Sequence, residues 1–299
     1  MCYNKANLQE EVLLMQTSQE NGNRNVVIAV VIAGIIFLAP LLLYGGLLGL
    51  AWLTDLTSSQ VASKIIDPKA EAYISQAYPD NDFILEDAYY VFKDNCYRVK
   101  VKSRSSQDTC FSLDFDYQSY ELVSDGYEIS VLSGANTRAR VLSDYTFLVD
   151  DCFSAVTHSY HVDSDFCVYS ENVSTTGYFS PNGLDSKTLI VDKDYDAAEL
   201  GSAYGYLTLT AVLSKEEVNI HSALDILKEA DQLLTERSIG YYLIEITIKD
   251  AAYPNTTAEF SLYGVHPEDL RREDALAYLQ ELWNAQEAHR QEIKENWDN

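Results

Sequence analysis

YRVKVKSRSSQDTCFSLDF (Tyr97–Phe115) holds two runs in which every second side chain is apolar. Tyr97, Val99 and Val101 alternate with Arg98, Lys100 and Lys102, and Phe111, Leu113 and Phe115 alternate with Cys110, Ser112 and Asp114. A period of two puts one set on a buried face and the other in water, which predicts half-buried antiparallel strands. Strands are expected over 83–93, 96–103, 109–117 and 120–132, with Cys96 and Cys110 on the wet face.

Helices flank this meander. Asp67-Pro68 predicts a helix start, an N-cap followed by proline in the first turn. A second helix is expected from Asn136, where Val141, Leu142, Tyr145, Leu148, Val149, Cys152, Phe153 and Val156 recur at helical spacing. Beyond residue 160, short strands are expected near 165–170 and 187–192. A longer one follows at Tyr206–Leu213, then a helix opened by the Ser214/Glu217 capping box. Two more strands, around Tyr242–Ile248 and Phe260–Leu262, precede a charged C-terminal helix from His266-Pro267. Helices followed by hairpins, without regular βαβα alternation, imply an α+β fold with antiparallel sheets.

The N-terminal stretch is of another kind. Val26–Leu53 runs 28 residues without a charge in a chain whose net charge is −25. As a helix it would measure about 42 Å, more than the ~30 Å hydrocarbon core of a bilayer. It is too long, and starts too late, for a cleaved signal. A transmembrane anchor is expected, kinked at Pro40, and the GxxxG spacing of Gly45 and Gly49 would let two spans approach as a dimer. Arg24 beside the span places the N-terminus in the cytoplasm and the rest outside it. The expected layout is a cytoplasmic tail (1–25), the span (26–53), a stalk (54–67), a first domain (68–160) and a second α+β domain with the terminal helix (161–299).

Beyond residue 53 the chain carries 19 Lys and Arg against 43 Asp and Glu. So acidic a surface excludes nucleic acid as a partner and disfavours anionic lipid. Cys96, Cys110, Cys152 and Cys167 allow three disulfide connectivities, and no CxxC is present to suggest a redox or zinc site.

Several segments, AYISQAYPDNDF (72–83), YRVKVKS (97–103), DTCFSLDF (108–115), DGYE (125–128) and especially GANTRAR (134–140), resemble the YfjL-like family of small membrane-anchored proteins from Gram-positive bacteria. The resemblance covers about residues 70–160, and beyond them only the YGYLTLT strand (204–210) and the helix after it. It implies an extracytoplasmic domain with one helix against an antiparallel meander, similar to cystatin-like folds, and it brings no catalytic residues with it.

The candidate chemistry is sparse. His158, His161, Asp163 and Asp165 form a grouping with metal-ligand character, two histidines three apart with carboxylates nearby. Asp192, Asp194 and Asp196 alternate like a calcium loop but lack its glycine and closing glutamate, since Ala197 and Ala203 stand there. No GxSxG, HExxH or P-loop occurs, and no cofactor is expected. Asn136 suits a helix cap, but Arg138 and Arg140 then oppose the dipole in the first turn. Either an arginine clips the helix to a carboxylate such as Asp125 or Glu128, or the pair forms a small anion-binding patch. The expected function is a non-catalytic, membrane-anchored extracytoplasmic binding or sensor module with a protein partner in the envelope. The alternative is a metal-dependent cell-surface hydrolase centred on His158–Asp165.

Overall fold

A computed structural model describes residues 60–171, 178–254 and 259–297. The apolar run 26–53, the tail before it, the Gly45/Gly49 pair and the first part of the stalk lie outside the described residues. Among the described residues, no helix is long and apolar enough to cross a membrane. The chain folds as α+β, with antiparallel pairing at all but two strand contacts and several packed helices. Its described residues form two compact units, one from 60–73, 87–99 and 115–121 and the other from 74–86, 100–114 and 122–297.

The chain is already helical at residue 60, the first described, ahead of Asp67, and the helix continues through Asp67–Ala77 (α1). Pro68 has no N–H to give and its ring crowds the preceding turn, and Ala62–Ile66 just before it widens to a π-helical turn. Asp67 is therefore inside a helix and does not cap one; its carboxylate accepts from the Ala88 amide at 2.8 Å.

The run 83–93 is broken into β1 (Phe83–Leu85) and β2 (Tyr89–Val91), both antiparallel to β3 (Cys96–Ser103). β4 (Cys110–Asp116) and β5 (Leu122–Asp125) complete a sheet of order β1-β3-β4-β5, in which β2 also pairs with β3. The last expected strand stops at Asp125, and Glu128–Leu132 is a π-helical turn. Within the first unit, Val91 pairs with Cys96 across the turn Phe92–Asn95, and Asn95 takes a left-handed φ of 54°. The rings of Tyr90, Tyr97 and Tyr120 follow one another at 5.3 and 6.1 Å. Asp116 closes the next turn by accepting from the amides of Gln118 and Ser119. Lys69 of α1 donates to the Tyr120 carbonyl at 2.7 Å and pairs with Glu121. Cys96 is buried beside Tyr97, contrary to the alternation of the strand; only Cys110 of the two is exposed.

In the second unit, Tyr78, Phe83, Phe111 and Tyr127 pack ring against ring at 5.1–5.8 Å. Here α2 (Ala135–Ser154) lies against β6 (Tyr160–Phe166). A cut near residue 160 would separate these two, whose apolar faces share one core. A small parallel pair follows, β7 (Val168–Tyr169) with β8 (Phe179–Ser180), while 187–192 holds a 3₁₀ turn and coil where a strand was expected. After α3 (Ala197–Tyr204) comes β9 (Gly205–Leu213). The Ser214/Glu217 box caps only a 3₁₀ turn, and Asn219 caps the helix proper, α4 (Ile220–Glu236).

The chain returns as β10 (Leu243–Asp250), parallel to β9 from Tyr206↔Leu243 to Leu213↔Asp250. With β11 (Phe260–Val265) the sheet order is β11-β10-β9-β6. The parallel pair forms because a 17-residue helix, long enough for a crossover, separates its strands. Tyr145 of α2 is fully buried; it stacks on Phe166 at 5.1 Å and donates to the Gly240 carbonyl at 3.0 Å. Gly201 and Gly205 make room for it, since a Cβ on either would lie 2.3–2.4 Å from the tyrosine. After the short α5 (Pro267–Leu270), the terminal helix α6 (Ala275–Trp297) stacks Trp283 on Phe260 and covers the β11 edge. Gln286 both accepts from the Tyr263 amide and donates to its carbonyl, satisfying backbone groups an edge strand leaves open.

Candidate functional site

Asn136–Arg140 sits where α2 begins, and its polar side chains each end on a defined partner. Gly134, with a left-handed φ of 71°, is the cap residue, so Asn136 lies one residue inside the helix. A Cβ at Gly134 would lie 1.9 Å from the Ser186 carbonyl oxygen, so only glycine fits both the backbone and the space. The Asn136 amide donates to the carbonyls of Asp108 and Cys110 at 2.8 and 2.6 Å.

Arg140 meets Asp108 in a two-pronged pair, Nε to Oδ1 at 2.7 Å and Nη2 to Oδ2 at 3.1 Å, and also donates to the Lys193 carbonyl. Asp108 is only 2 % exposed. Its Oδ2 accepts from the Asp192 amide at 2.9 Å, while its own amide donates to Asp192 Oδ1 at 3.0 Å. Burial pushes the Asp108 carboxyl up, but the Arg140 and Asp192 hydrogen bonds outweigh it and hold the group below its ordinary value.

Arg138 turns instead to β6, with Nη2 2.9 Å from Asp165 Oδ1 and 3.1 Å from the Phe166 carbonyl. The other Asp165 oxygen accepts from the Tyr178 hydroxyl at 2.9 Å. Neither arginine reaches Asp125 or Glu128. Asp125 accepts from Tyr78 and from the Tyr127 amide, and the chain runs through the π-helical turn 128–132 before α2 starts. With the cap at Gly134, Arg138 stands at the end of the first helical turn and Arg140 in the second, and each is held by a carboxylate, neither of them the ones expected.

Arg138 also lines a shallow cleft of about 210 Å³ with Val168, Tyr169, Leu184, Asp185 and Ser186. Its buried Nε has no hydrogen-bond partner among the described residues. The cleft sets an arginine edge, a carboxylate and an aromatic ring side by side. Ser186 donates to the Ser133 carbonyl at 2.7 Å, so its hydroxyl holds the turn against Gly134.

The four metal candidates do not converge. His158 is held against Phe153 and the Tyr160 carbonyl. His161 and Asp163 pair at 3.2 Å on the exposed face of β6, and Asp165 is taken by Arg138. Strand alternation is the cause: Tyr160, Val162 and Phe166 turn inward, so His161 and Asp163 turn out. Among the described residues no group of three His, Cys, Asp or Glu could hold a metal ion. Two of the Asp192–Asp196 series are engaged elsewhere, Asp192 on Asp108 and Asp196 capping α3.

Two features escaped the sequence reading. Asp108 gave no signal beyond an acid in a loop before a strand. Glu245, an acid within the apolar run LIEITIKD, is 7 % exposed and accepts from the Tyr206 hydroxyl at 2.5 Å; burial pushes its carboxyl up. Cys110, Cys152 and Cys167 are free thiols, and burial pushes that of Cys167 up to about 12. Comparisons of the chain with protein-family models, with curated proteins and with solved structures give no match.

Proposed function

We propose that the chain is a single-pass membrane protein, N-terminus in the cytoplasm, whose extracytoplasmic part acts by binding a protein partner and not by catalysis. The observation that carries this reading is where the polar residues go: Asn136, Arg138, Arg140, Asp108 and Asp192 are consumed in holding α2 to the neighbouring loops and to β6. The surface left open at that place is the cleft beside Arg138 and Tyr169. The helix-then-meander order of α1 to β5 supports the resemblance to the YfjL-like family and to cystatin-like folds. The hydrolase reading finds no support in the dispersed placement of His158, His161, Asp163 and Asp165.

A photo-crosslinking residue at Tyr169, in cells, tests the reading. It is expected to yield one discrete protein adduct that Asp185→Arg abolishes without unfolding the chain. Diffuse labelling insensitive to Asp185→Arg would refute the cleft as the binding surface.

A further inference from the structure

Charge is somewhat sparser on the smaller unit, a net of −2 over 34 residues against −21 over 206. The first, from 60–73, 87–99 and 115–121, holds four Lys and Arg against six Asp and Glu. The second, over 74–86, 100–114 and 122–299, holds fifteen against thirty-six. The first unit is nearly neutral, and three of its six acids are held locally: Asp94 by Arg98, Glu121 by Lys69, and Asp116 within its own turn.

This neutral unit also carries the most exposed large apolar side chain among the described residues, Phe92 at 89 %. Phe92 opens the β2–β3 turn beside Lys93. Tyr117 opens the β4–β5 turn, whose Tyr120 ring lies 6.1 Å from that of Tyr97, the residue after Cys96. The two turns are thus neighbours at one end of the unit. Lys69 fixes the start of α1 to the same place through the Tyr120 carbonyl.

Gln60 is nine helical residues before Lys69, about 14 Å of rise, and Leu53, the last residue of the uncharged run, is seven residues earlier, at most about 25 Å of extended chain. That tether lets the turn-bearing end reach a bilayer surface. Aromatic rings with a neutral, mixed-charge surround are the side chains that settle at the headgroup boundary, and a near-neutral unit meets no repulsion there.

We propose that the Phe92–Asn95 and Tyr117–Tyr120 turns form a lipid-facing rim, seating Phe92 and Tyr117 at the headgroup level of a zwitterionic bilayer. This rests on the membrane-anchor reading above. The test uses the full chain with Trp52→Phe, one copy per phosphatidylcholine nanodisc, with Phe92→Trp or, separately, Tyr117→Trp added. The added emission should be blue-shifted and largely lost when the lipids are brominated near the headgroup end of their chains. Water-like emission that bromination leaves unchanged, for both variants, would overturn the rim while the anchor stands. A blue shift that appears only with two copies per disc and resists bromination would assign the rings to a second copy and overturn the lipid assignment. A chain released from membranes by alkaline carbonate would overturn the anchor, and the rim with it.

Discussion

Replacing Arg140 by methionine removes the cation from a carboxylate that is 2 % exposed and leaves Asp108 with only neutral donors such as the Asp192 amide to compensate it. Breaking a buried pair by deleting one partner costs about 3–5 kcal/mol; the Arg140 side chain is 20 % exposed, which points to the lower end, about 3 kcal/mol. Arg140→Lys keeps the charge but loses the two-pronged geometry and the reach to the Lys193 carbonyl, and should recover only part of this. The double change Arg140→Met with Asp108→Asn should cost less than the two singles together, because no uncompensated charge remains. Urea unfolding of the detergent-solubilised chain reads all four proteins. The pH dependence follows from the lowered Asp108 carboxyl: the pair's contribution is complete above the ordinary value of 3.8 and is lost as pH falls through the lower folded value. Arg140→Met should flatten that acid limb. An Arg140→Met protein as stable as the parent, with weakened binding of an anion, would refute the structural role and make the pair a ligand patch.

Other outcomes follow from single contacts. Gly134→Ala forces a left-handed φ and a 1.9 Å clash with Ser186, and should lower stability by about 1–3 kcal/mol in the same assay. Glu245→Gln should raise stability at neutral pH: burial raises the Glu245 carboxyl, so its contribution is complete below the ordinary 4.5 and is lost as pH rises through the folded value, a slope the amide lacks. Unchanged stability across that range would contradict the buried carboxylate. Tyr145→Phe removes the hydrogen bond to Gly240 and should cost about 0.5–1.5 kcal/mol, whereas Gly201→Ala, with its Cβ 2.3 Å from the Tyr145 ring, should cost more.

Local pattern made much of the fold readable. The alternation in 97–103 and 110–116 and the helical spacing of Val141, Tyr145, Val149 and Cys152 each translate directly into a buried face. Two kinds of feature were out of reach. Alternation alone puts Cys96 on the wet face, because it does not say what covers a strand's first residue, and the thiol is buried. The parallel pairing of β9 and β10 was available in outline, as a strand, a helix and a strand in succession, yet the absence of a glycine-rich turn hid it. The site was less legible still. Arg138 and Arg140 could be flagged from their conflict with the helix dipole, but their partners lie 27 and 32 residues away and depend on which loops the helix start meets. Asp192 looked like a fragment of a calcium loop and instead completes the Asp108 pair, which no spacing rule conveys.

The most direct test of an exported, membrane-anchored domain uses the one exposed thiol among the described residues. Cys110 is exposed, whereas Cys96, Cys152 and Cys167 are buried, so in a Cys2→Ser background a membrane-impermeant maleimide reports on Cys110 alone while the protein stays folded. Labelling of intact cells, equal to that after lysis and lost in Cys110→Ser, is the predicted result. Labelling that appears only after lysis would contradict it and place the domain inside the cell.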